Sequence, residues 1–162
     1  MRRMENLLRY ATVAEVDTAK ALLKVRYGDT TTSGWLPWFS QRAGNSISWH
    51  APDVGEQVMV LSPSGEPVGG LVLTGLYTTS KPAPSTDGDL HLMRYGNGDF
   101  HQHHRGTGDT NTKISGNHHI QYADGSFISH DTSGNLTIHA TGNITLNANG
   151  DMVLKASKIY EN

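Results

Sequence analysis

Hydrophobic positions change their rhythm half-way along the chain. Tyr10–Asp17 and Ala21–Arg26 alternate apolar with polar residues, or run apolar, around a short polar turn, the pattern of a β-hairpin. Gly34-Trp35-Leu36 follows, then a polar loop through Gln41–Ser48. Val58–Leu61 and Leu71–Leu76 flank Ser62-Pro-Ser-Gly65, where proline and glycine supply the fixed and positive φ angles of a tight reversal. Leu7, Leu8 and the charges around them permit one short N-terminal helix. After Ser133 the rhythm becomes strict. Ser133-Gly-Asn-Leu-Thr-Ile-His-Ala140, Thr141-Gly-Asn-Ile-Thr-Leu-Asn-Ala148 and Asn149-Gly-Asp-Met-Val-Leu-Lys-Ala156 align without a gap at a period of eight.

These patterns predict an all-β chain in two parts. About five strands within residues 1–80 suit a small closed barrel of the oligonucleotide/oligosaccharide-binding (OB) type, and an SH3-like barrel fits nearly as well. In the octads, positions four, six and eight fall on one face of a strand. Leu136, Ile138, Ala140, Ile144, Leu146, Ala148, Met152, Leu154 and Ala156 therefore form one apolar stripe, with Gly-Asn or Gly-Asp turning each corner. Short strands separated by corners give one chain nothing to set against that stripe. Three chains, each supplying one side of a triangular prism, give roughly 24 residues per layer, near the coil length of β-solenoids, and bring the stripes together on an axis. The expected architecture is an OB-like barrel followed by an intertwined trimeric β-helix. The alternative is a polar sheet packed on the first domain.

Composition sharpens the division. Residues 1–80 hold all three tryptophans and 25 residues of the Leu/Ile/Val/Met/Phe/Trp set, enough for a core; residues 86–162 hold 16 of that set, eight of the nine histidines and no tryptophan. The second half is too lean for an ordinary monomeric core. The expected segments are a barrel with its N-terminal helix over 1–80, a proline-containing linker over 81–89, an upper shaft over 90–132, and the octads and tip over 133–162. In the upper shaft, Tyr95-Gly-Asn-Gly-Asp-Phe100 echoes Tyr122-Ala-Asp-Gly-Ser-Phe127, and Asn97-Gly98 and Asp124-Gly125 signal hairpins with type I′ turns.

With no cysteine there is neither a disulfide framework nor a thiolate site. Net charge is −2 with both signs mixed along the chain, so no basic patch points to nucleic acid or anionic lipid. No apolar run approaches the ~20 residues that span a bilayer, and no signal-peptide block opens the chain, so assembly in the cytoplasm of the producing cell is expected.

Two stretches resemble the central-spike family of contractile phage tails, baseplate assembly protein V, and the related tailocin spikes. They are Trp49-His-Ala-Pro-Asp-Val-Gly-Glu-Gln-Val-Met-Val-Leu-Ser-Pro-Ser-Gly65, continuing at Gly69-Gly-Leu-Val-Leu73, and Ala123-Asp-Gly-Ser-Phe-Ile-Ser-His-Asp131 running into the octads. The resemblance implies a homotrimer in a virion or tailocin baseplate. Its barrel collar would sit against hub and tail-tube proteins, and its β-helical needle would breach the target envelope when the sheath contracts. It also implies an end-of-needle solution at Ile159, Tyr160, Glu161 and Asn162: a separate cone-like tip protein of the PAAR-repeat type, or a self-capped point.

Candidate chemistry is sparse. His101-Gln-His103 has metal-ligand spacing, because two imidazoles two residues apart in a strand share a face and three copies would present six nitrogens. Family spikes carry such a motif near the apex, where it binds iron. Here it lies about sixty residues before the C-terminus, with no histidine after His139. The default expectation is therefore a protein without cofactors. No catalytic signature occurs, and no enzymatic role is expected. Asp87 and Asp89 read as linker solubility. The rival function is an OB-type oligonucleotide- or glycan-binding module with an oligomerising stalk. It needs exposed aromatics beside basic residues; Trp35, Trp38 and Trp49 have only Arg42 near them and read as core and trimer-contact residues.

Overall fold

The computed structural model describes residues 6–160. The chain divides into two units between Thr86 and Asp87, inside the expected linker. No α-helix occurs among the described residues; two short 3-10 turns, at Pro63–Gly65 and Pro67–Gly69, make the predicted reversal.

In the first unit, β1 (Leu8–Asp17) lies between β2 (Leu22–Tyr27) and β5 (Gln57–Leu61), antiparallel to both. β3 (Thr31–Thr32) pairs one end of β2, and β4 (Leu36–Pro37) pairs the other. β6 (Leu71–Leu73) pairs β5. A parallel bridge between Trp38 and Val72, with the Phe39 N–H donating to the Val72 carbonyl at 2.9 Å, joins β4 to β6. The ring β1-β2-β4-β6-β5-β1 is thereby closed, and closure leaves the barrel no long free edge. A bulge between Val13 and Glu15 gives β1 the extra bend that a long strand shared by two partners needs.

The alternation seen in the sequence points into this barrel. Ala11 and Val13, Leu23, Val25 and Tyr27, Leu36, Val58 and Val60, and Val72 form one buried core, at every second position of each strand. The expected N-terminal helix is corrected: Leu8 already pairs Leu61 in β1, and the Leu7 carbonyl accepts a bond from Ser62 N–H. A waiting strand partner outweighs the weak helical pattern there. Residues 1–5, where that helix would have begun, lie outside the described residues. Of the three tryptophans read as core and trimer-contact residues, one packs on the barrel core. Trp38 is half-buried against the core, whereas Trp35 and Trp49 are exposed.

The second unit holds two three-stranded antiparallel sheets. One is β7 (Leu90–Arg94), β8 (Phe100–His104) and β9 (Thr110–Lys113); the other is β10 (His118–Gln121), β11 (Phe127–His130) and β12 (Leu136–His139). The hairpins fall where Asn97-Gly98 and Asp124-Gly125 placed them, but the turn type differs. Gly98 N–H donates to Tyr95 O and Tyr95 N–H to Asp99 O; Gly125 and Tyr122 repeat the pattern with Ser126. The glycines have φ of 87° and 91°, while Asn97 and Asp124 do not have positive φ. A type I turn closed by a glycine bulge replaces type I′. Gly134, φ 84°, makes the same corner between Asp131 and Asn135.

Only the first octad enters a ladder. From Ala140 to Tyr160 no residue belongs to a strand. The expected strands of the second and third octads are absent among the described residues.

Candidate functional site

No residue from Asp87 to Tyr160 is buried. A folded segment of this length without an interior is the feature that any function must explain. Along the predicted stripe, Leu136, Ile138, Ile144, Leu146, Met152 and Leu154 are each half to two-thirds exposed. Ala140 is half-buried, and Ala148 and Ala156 are exposed. Covering such side chains is worth about 1 to 2 kcal/mol each, so six in a row make a strong drive to associate. At the end, Ile159 and Tyr160 are exposed, with the Lys158 ammonium 4.8 Å from the Tyr160 ring centre. Glu161 and Asn162 lie outside the described residues.

Strand register extends the stripe upward. His118 pairs His130, which pairs Leu136; Ile120 pairs Ile128, which pairs Ile138. Directly opposed residues share a face, so one face of this sheet carries three isoleucines, Leu136 and two histidines. The other carries His119, Gln121, Phe127, Ser129, Thr137 and His139, with the Phe127 ring 5.3 Å from His119 and 5.1 Å from His139. One face is apolar and uncovered, the other polar and internally stacked.

Aspartates fasten the corners. Asp131 accepts from Ser133 N–H and Asn135 N–H, both at 2.9 Å, and from the Asn135 side-chain amide at 2.8 Å. Asp124 accepts from the N–H and hydroxyl of Ser126. Asp99 accepts from the Asn97 amide and from the N–H and hydroxyl of Ser115. The bonds from Asn135 hold the Asp131 carboxyl below the ordinary range, and those from Ser126 do the same for Asp124. At Asp99 desolvation pushes upward, but the bonds from Asn97 and Ser115 together prevail.

The predicted linker carboxylates are also structural. Asp89 pairs with Arg105, and Asp87 accepts from Asp89 N–H and from His104 Nε2 at 3.1 Å. Since His104 Nδ1 accepts from Thr107 N–H at 3.1 Å, the proton sits on Nε2. Asp87, His104 and Thr107 thus resemble a nucleophilic triad, yet the Thr107 hydroxyl donates to Asp109 at 2.7 Å. The constellation latches the β8–β9 turn.

His101 and His103 share an exposed face of β8, as their spacing predicted. Each ring is tied through Nδ1 to a threonine hydroxyl of β9, Thr112 at 2.8 Å and Thr110 at 2.9 Å. No group of three or more histidines and carboxylates placed to hold a metal ion occurs among the described residues. No histidine follows His139 among the described residues. An open cleft of about 500 Å³ lies beside this sheet, lined by Tyr95, Phe100, His101, Thr112 and Ile114 among others.

On the barrel, Trp49 packs at 5.6 Å against Trp38, and the Lys24 ammonium lies 4.6 Å from the Trp35 ring while bonded to Glu15. The loop beneath is stapled by Ser40 and Ser48, whose hydroxyls lie 2.8 Å apart, so Phe39, Ile47 and Trp49 are displayed on a braced surface.

Residues 9–77, the closed ring just described, match the family of the Type VI secretion system/phage-baseplate injector OB domain. The barrel is similar to that injector OB domain. The injector OB barrel thus decides between the two barrel types that strand count left open. The chain is also 37% identical over 97 residues to the spike protein of Escherichia phage P2, a match covering 60% of this chain and 46% of that one. It therefore spans about half the length of that relative, and the likeness supports the baseplate-spike family.

Proposed function

We propose that three copies of this chain form the central spike of a contractile-tail baseplate, with the injector OB barrels as collar and residues 87–162 wound into a shared β-helical needle. One observation carries the reading: the second unit has turns, ladders and a regular apolar stripe but no buried residue among those described. Main-chain groups of the second and third octads, which enter no ladder among the described residues, would find partners on two neighbours, as buried backbone requires. The apolar face of β10–β12 turns inward and continues the stripe.

A rod held this way suits mechanical work. Separating interwoven chains breaks many hydrogen bonds together, so resistance to an axial push is kinetic and needs no cofactor. The collar meets hub and tail-tube proteins, and the exposed aromatic loop of the barrel is the surface suited to that contact. A cone-like tip protein of the PAAR-repeat type would cover the apolar stripe where the needle ends. The site of action is the tail of a virion or tailocin, in transient contact with the target envelope.

Particles carrying the chain truncated after Ala140 test the function. Their sheaths should contract normally while target cells keep their internal potassium. Undiminished permeabilisation would refute the piercing role.

Exposure of Trp35 and Trp49 favours a second reading, in which the barrel stacks sugar or base rings. Salt-sensitive micromolar binding of single-stranded DNA or cell-wall glycan would support it, and absence of binding at low salt would remove it.

A further inference from the structure

Eight histidines lie between His91 and His139, and most are already engaged. His101 and His103 are tied to threonines, His104 bridges Asp87 and Thr107, and His119 and His139 stack on Phe127. His91 pairs His103 in the β7–β8 ladder, on the face that also carries Met93, His101, Thr110 and Thr112. That face is the more exposed one; its opposite, with Leu90, Leu92 and Phe100, is half-buried. If the apolar face of each sheet turns inward, His101 and His103 point outward, away from any shared axis.

His118 and His130 differ on both counts. They are directly opposed across β10 and β11, and they sit on the apolar face, beside Ile120, Ile128, Leu136 and Ile138. Neither ring makes a hydrogen bond among the described residues. Once covered, each would hold two ring nitrogens in apolar surroundings, where an unpaired polar group is costly. Directly opposed residues place their Cβ atoms ~4.5–5.5 Å apart, close enough for two imidazoles to meet one ion at ~2.0–2.1 Å.

We propose that His118 and His130 from three chains ring a divalent first-row transition metal inside the shaft. The inference rests on the trimeric reading, since one chain supplies only two ligands. Nitrogen donors select Zn²⁺, Ni²⁺, Co²⁺ or Fe²⁺ over Mg²⁺ and Ca²⁺, and up to six of them suit an octahedral ion. The row Ile120, Ile128 and Ile138 on one side shields the ion from water. The site would act as an internal rivet between chains where the hairpins give way to the octads.

The test is titration of the chelator-stripped full chain with NiCl₂ and ZnCl₂, read by calorimetry and elemental analysis, alongside its native mass. One ion per three chains is expected. His118→Gln/His130→Gln should weaken uptake more than ~100-fold, because even outer-shell losses cost 10–100-fold, while His101→Gln/His103→Gln leaves it unchanged. If the His118→Gln/His130→Gln chain does not assemble, His118→Gln alone, still trimeric, should show the same loss. A trimer that takes up no ion, or whose uptake survives the His118 and His130 substitutions, overturns the metal site and leaves the spike standing. A single-chain mass overturns both.

Discussion

Leu146→Asp/Leu154→Asp converts the assembled protein into separate chains that keep a folded barrel. Each substitution forfeits the cover of a large aliphatic side chain, about 2 kcal/mol, and sets an unpaired carboxylate in an apolar interior, a further several kcal/mol. Three chains triple the penalty, which exceeds what association at micromolar concentration can absorb, about 8 kcal/mol. The barrel should be indifferent, because its core of Val13, Leu23, Val25, Leu36, Val58, Val60 and Val72 is complete within the first unit. All three tryptophans lie in that unit, so tryptophan fluorescence, excited selectively, follows the barrel alone. The expected outcome is a monomeric mass with an unchanged fluorescence melting transition. Loss of the barrel transition would mean that the units fold as one.

Acid should loosen the second unit before the first. Asp99, Asp124 and Asp131 each close a corner, and hydrogen bonds to the charged carboxylates lower their pKa below the ordinary 3.8. A carboxyl whose folded pKa lies below its unfolded value binds protons more readily when unfolded. It therefore contributes full stability above about pH 5 and loses it as pH falls through 4 toward the folded pKa. Far-ultraviolet circular dichroism between pH 5 and 2 should show the shaft weakening while tryptophan fluorescence holds. Asp99→Asn/Asp124→Asn/Asp131→Asn should melt lower at pH 7 and change less on acidification. A wild-type shaft equally stable at pH 5 and pH 2.5 would contradict this account of the corners.

The barrel was legible because a half-buried strand writes its inner face at every second position. Val13, Leu23, Val25, Val58, Val60 and Val72 could be picked out before the structure. β3, two threonines long, carries too few positions to show a period. Which tryptophan packs on the core was not legible, because it depends on the braced Ser40–Ser48 loop that holds Trp49 outward. Hairpin positions were readable from Asn97-Gly98 and Asp124-Gly125, but turn type depends on whether the residue before glycine also adopts positive φ. The His118–His130 pair was invisible, since their proximity follows from a register that hairpin length sets. The octad period was the clearest signal of all, yet among the described residues only its first repeat forms a strand, because a period in sequence fixes which face is apolar and not which segment pairs with it.

The native mass of the purified, unmodified chain, by light scattering or native mass spectrometry, tests this most directly. Three chains of 17.6 kDa predict about 53 kDa across micromolar concentrations. A species of 17.6 kDa with the octads folded against its own barrel would contradict it.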